Sequence, residues 1–92
     1  MNAAELIRAR LAALDPVALE IRDDSALHAG HAGAREGGHY AVRIVAARFA
    51  GLPTLRRHRL VYDAIGDLAG QRIHALSIDA RSPDELRSSP ES

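Results

Sequence analysis

Apolar positions along this chain change period repeatedly, and each change marks a boundary between segments. Leu6, Ile7, Leu11 and Leu14 recur at helical spacing, with Arg8 and Arg10 opposite them. Asn2 followed by Glu5 has the form of a capping box, so the helix is expected to start there. Asp15-Pro16 should end it, because the residue before proline disfavours helical backbone. Val17, Leu19 and Ile21 then alternate with polar or small residues, the pattern of a half-buried strand. From Ala26 to Gly38 no period survives, and glycine and alanine dominate, as in a long mobile loop. His39 to Phe49 alternates again, with Tyr40, Val42 and Ile44 on one face. Gly51 and Pro53 suit a strand-to-helix turn, and Leu60, Val61, Ala64, Ile65 and Leu68 form a second helical stripe. A short helix across residues 56–59 and a longer one to about Ala69 are expected, with Gly70 as the stop. Gln71 to Ala80 reads as a third strand in which His74, Leu76 and Ile78 share a face. Ser82 and Pro83 can open a short last helix.

The order is therefore helix, strand, strand, helix, helix, strand, small helix. A loop between the first two strands makes them antiparallel, and a helical crossover makes the last two parallel. The expected fold is α+β: a three-stranded mixed sheet with helices on one face. Residues 1–86 should form a single domain and residues 87–92 a frayed tail. The expected core comprises Leu11, Leu14, Leu19, Ile21, Val42, Ile44, Val61, Ile65, Leu68, Leu76 and Ile78.

Composition narrows the function. Formal net charge is zero, with 12 basic and 12 acidic residues, which lacks the broadly basic footprint of most nucleic-acid-binding domains. Three aromatic residues, Tyr40, Phe49 and Tyr62, supply few base-stacking platforms. With no cysteine, the chain can form no disulfide and no thiolate metal site of its own. No apolar run reaches membrane-spanning length, and the first residues lack a signal-peptide layout, so a cytoplasmic location away from membranes is expected. No nucleophile stands with a positioned base and no carboxylate pair suggests acid–base work, so an enzyme is not expected.

Two groups of residues carry candidate chemistry. Arg56, Arg57, His58 and Arg59 place three guanidiniums and an imidazole at a helix start. The plainer reading is a solvated helix end paired with Asp63 or Asp67, where each pair contributes about 0–1 kcal/mol. Cations at a helix N-terminus oppose its dipole, however, and such a cluster suits an anionic partner: a carboxylate, an acidic protein surface or DNA phosphate. The second group is histidine, five in all. His74, near a strand start, is either a hydrogen-bonded residue at the core rim or a ligand for a borderline metal such as iron or zinc. His28 and His31 lie in the glycine-rich loop, and His39 at its far end reads as a rim residue.

Phe49-x-Gly51, a spacer, then Arg57-His58-Arg59-x-Val61-Tyr62 resembles the signature of the BolA family, and Ile73-His74-Ala75-Leu76 is similar to its second hallmark. The resemblance spans roughly Ala3 to Leu86. It implies a variant of the class II K-homology fold, lacking the glycine loop that clamps nucleic acid. It also implies a non-enzymatic partner of a monothiol glutaredoxin, sharing a [2Fe–2S] cluster with glutaredoxin and glutathione in iron–sulfur trafficking or iron sensing. On that reading His74 is one ligand and His28 the loop ligand, with His31 as a spare, which makes the chain a histidine-loop subtype holding no cofactor when isolated. The isolated chain is expected as a monomer or weak homodimer. The resemblance keeps two alternatives open: a DNA-binding transcription regulator acting through Arg56, Arg57, His58 and Arg59, and a protein-interaction adaptor that binds no ligand.

Overall fold

The structure is a computed structural model that describes residues 2–24, 38–68 and 73–87, with only the backbone described at residues 74 and 87. Helix α1 spans Ala3–Leu11. The capping box forms: the Glu5 backbone N–H donates to Asn2 Oδ1 at 2.8 Å, and the Asn2 N–H donates to Glu5 Oε1 at 2.9 Å. A 3-10 turn over Ala12–Leu14 extends the helix, and Asp15 leaves it with φ 56°, a left-handed conformation that Asp tolerates better than most residues. Pro16 follows and cannot continue a helix.

Strand β1 spans Ala18–Asp23, β2 spans Gly38–Val45 and β3 spans Ile73–Arg81. The sheet order is β1-β2-β3, antiparallel between the first pair and parallel between the second, as the loop and crossover connections required. Leu19 and Ile21 pack against the core as the alternation predicted, but Val17 does not. It precedes the strand, is 69% exposed, and serves through its backbone N–H, which donates to the Val45 carbonyl at 2.8 Å.

Strand β2 stops at Val45, short of the predicted Phe49. Residues Ala47–Phe49 form a 3-10 turn that brings the Phe49 ring fully inside the core. Gly51, at φ 77°, completes the turn. One helix then replaces the predicted two: α2, Thr54–Ile65, carries both the basic cluster and the apolar stripe. Pro53 is its N-cap, and nothing between Thr54 and Ile65 breaks it. Gly66, at φ 89°, ends it four residues before the expected stop, and Gly70 lies outside the described residues. Val61 and Ile65 are fully buried with Ile7, Leu11, Ile44 and Phe49, while Leu60, Ala64 and Leu68 pack against them. The last helix, α3, runs Pro83–Arg87, one residue into the segment predicted as tail. The remaining tail and the loop histidines His28 and His31 lie outside the described residues.

Candidate functional site

The sheet's topology assembles one end of the molecule. Strand β1 ends at Asp23, β2 begins at Gly38, and β3 begins at Ile73 beside Gly38. Asp24 and Gly38, on either side of residues 25–37, therefore stand at the same end as Ile73 and His74. The chain just past α2 arrives at this end too, since the Ile73 N–H donates to the Leu68 carbonyl at 2.9 Å.

His74 occupies a break in the strand register. Gly38 pairs with Ile73, but the next residue, His39, pairs with Ala75, so β3 carries one residue more than β2 across this step. Ile73 is buried, Ala75 is exposed and Leu76 faces the core. Strict two-residue alternation is therefore broken between Ile73 and Ala75. Such irregularities recur beside functional sites, where they re-aim a side chain or end pairing. His39 sits beside the break. Its carbonyl accepts the Asp24 N–H at 2.7 Å, so the middle strand joins both neighbours at this point.

The basic cluster does not act as one surface. Arg57 falls at i of the series Arg57, Val61, Ala64 and Leu68, the buried stripe, and its guanidinium turns inward. Its Nε donates to the Leu52 carbonyl at 2.7 Å and Nη1 to the Ala80 carbonyl at 3.0 Å. Nη1 and Nη2 also donate to the two carboxylate oxygens of Glu85, at 2.6 and 2.9 Å. One side chain thus ties the turn before α2, the end of β3 and helix α3 together. Among the described residues Arg56 and Arg59 have no ion-pair partner. His58 is half-buried and borders a cleft with Thr54, Ile78 and Arg81.

The Arg57–Glu85 pair has a measurable consequence. Bidentate hydrogen bonding from Arg57, joined by the Ser82 N–H at 2.8 Å, lowers the Glu85 carboxyl from its ordinary value of 4.5 to about 2. A folded-state value below the unfolded one stabilises fully above the unfolded value and is lost as pH falls through the folded one. Glu85→Gln should therefore melt at a lower temperature than wild type near neutral pH, with the gap closing as pH falls from about 4.5 to about 2. Thermal melts of both proteins across that range check this. A gap independent of pH would mean that the carboxylate charge is not what holds α3.

The decisive comparison is with protein families. Residues 11–85 match the family of BolA-like proteins.

The chain belongs to the BolA family.

It is 42% identical to BolA-like protein 1 of Mus musculus over 86 residues, covering 92% of this chain and 61% of that protein. It is 44% identical to SufE-like protein 1 (chloroplastic/mitochondrial) of Arabidopsis thaliana over 79 residues, covering 79% of this chain but 21% of that protein. The chain thus spans less than two thirds of the length of these curated relatives. Solved structures match more completely. The BolA domain of SufE1 from Arabidopsis thaliana superposes with a TM-score of 0.76 at 46% identity, covering 89% of this chain and 93% of that one. BolA1 from the same plant gives 0.78 at 37% identity, covering 98% and 99%. No helix among the described residues is long and apolar enough to cross a membrane.

The BolA signature now separates into roles. Phe49 and Val61 are core residues, Gly51 makes the turn, and Arg57 is the internal tie. Arg59 and Tyr62 remain exposed on α2. Sequence reasoning missed Leu55, which is 71% exposed on the same side. The signal was there: Leu55, Arg59 and Tyr62 stand at i, i+4 and i+7, off the core stripe.

Proposed function

We propose that this BolA-like chain is a non-enzymatic partner of a monothiol glutaredoxin, with which it shares a [2Fe–2S] cluster in iron–sulfur trafficking or iron sensing. The cluster is cargo held between two proteins. His74 supplies one ligand and His28 the other, with His31 able to take its place. The observation that carries this reading is the sheet end: the register break at His74 lies where Asp24 and Gly38 bracket the histidine-bearing segment.

Two chemical points support sharing. The chain has no cysteine, so every thiolate must come from the partner or from glutathione. Imidazoles replacing two thiolates on one iron raise a cluster's reduction potential, as in Rieske-type centres. That shift would distinguish the mixed complex from a cluster held by glutaredoxin alone. The DNA-binding alternative is left with Arg56 and Arg59 as phosphate contacts, because Arg57 is engaged internally.

The test is anaerobic assembly of the chain with a monothiol glutaredoxin, glutathione, iron and sulfide, followed by visible absorption and circular dichroism. A one-to-one complex with a spectrum distinct from that of the glutaredoxin homodimer is expected. A spectrum unchanged by adding the chain would remove the proposal.

A further inference from the structure

Helix α2 has a second face that its own fold does not use. Leu55 and Tyr62, 71% and 39% exposed, stand one above the other two turns apart. Arg59 lies between them and Arg56 beside Leu55. A groove of about 620 Å³ runs along this side, lined by Leu52, Leu55, Arg56, Arg59, Leu60 and Asp63. Its two cations are unpaired among the described residues, while the neighbouring Arg57 is fully engaged inside. The helix thus divides one run of arginines into a structural member and two that face outward.

We infer that this face is a docking surface for a protein segment presenting an apolar side chain flanked by carboxylates, and that it is separate from the histidines. The proposal rests on the partner reading above and adds where that partner is held before any cluster is present. Charge complementarity selects the carboxylates, since Arg56 and Arg59 outnumber Asp63 in the groove. The apolar surface selects protein over nucleic acid. A phosphate backbone would satisfy the arginines and leave Leu55 facing charge, whereas an apolar anchor buries it. Tyrosine and arginine, here Tyr62, Arg56 and Arg59, are also residue types enriched at interface centres. Because α2 runs from the far end of the sheet toward the His74 end, a partner lying along it reaches both places.

The probes are apo monothiol glutaredoxin, without iron, and a duplex of about twenty base pairs at low salt. Affinities are measured for wild type, Leu55→Ser, the double change Arg56→Glu with Arg59→Glu, and Arg10→Glu as a control on the exposed side of α1. All four positions are exposed, and equal melting temperatures confirm that the variants fold. The leucine and double-arginine variants should each bind apo-glutaredoxin at least about ten-fold more weakly, with the control within about two-fold. Wild-type binding that all three variants keep would overturn this surface and leave the partner reading standing. No wild-type binding to either apo or cluster-loaded glutaredoxin would overturn both. Duplex binding with a salt slope near −1.8, about −0.9 for each of two arginines, would assign the face to nucleic acid if the double-arginine change abolishes it and Leu55→Ser does not. That result too would overturn the proposal.

Discussion

Phe49→Ala should destabilise the folded chain by about 3–5 kcal/mol, the usual cost of removing a buried aromatic ring. Among the described residues Phe49 is the largest fully buried side chain, and it sits on a three-residue turn between β2 and α2. The ring is therefore both a core member and the anchor that turns the chain from sheet to helix. A domain of this size has only about 5–15 kcal/mol of total stability, so the variant should be close to unfolding. Phe49→Leu keeps much of the apolar volume and should give a smaller, readily measured loss. Denaturant titrations of both variants, with unchanged m-values, check the claim. A cost below about 1 kcal/mol for the alanine variant would mean that the turn does not pack as described.

Much of this architecture was readable from local chemistry. Asn2 and Glu5 announced the helix start because both halves of a capping box lie within four residues. The stripe from Leu60 to Leu68 found its buried face because helical period and burial agree there. The failures have physical causes of another kind. Val45 to Phe49 is apolar except for Arg48, and nothing local distinguishes a strand from a turn that drives Phe49 inward. The pairing of Arg57 with Glu85 joins residues 28 apart in sequence, so only the fold reveals it. The wheel position of Arg57 on the buried stripe did carry a hint that the cluster was not uniform. The register break at His74 is a property of two strands together and leaves no trace in either alone. The histidine letters and their family resemblance were legible, but the geometry that singles out residue 74 was not.

The central claim concerns ligation by that histidine. His74→Ala would remove an imidazole and leave space, confusing stability with binding. His74→Gln keeps a polar side chain of comparable reach and supplies a far poorer metal ligand. It should stay folded, still associate with apo-glutaredoxin, and lose the spectrum of the mixed cluster. His28→Ala should weaken the cluster less, because His31 can substitute, and removing both loop histidines should reproduce the His74→Gln result. Loss of a ligand changes cluster binding at the sheet end, whereas loss of the α2 face changes apo association, so the two sets of variants separate ligation from docking.

The most direct measurement is the visible circular dichroism of His74→Gln assembled anaerobically with monothiol glutaredoxin and glutathione, beside wild type under the same conditions. The account predicts a folded variant whose spectrum reverts to that of the glutaredoxin homodimer. A folded variant that carries the wild-type mixed-cluster spectrum would contradict it and leave His74 a structural residue at the strand break.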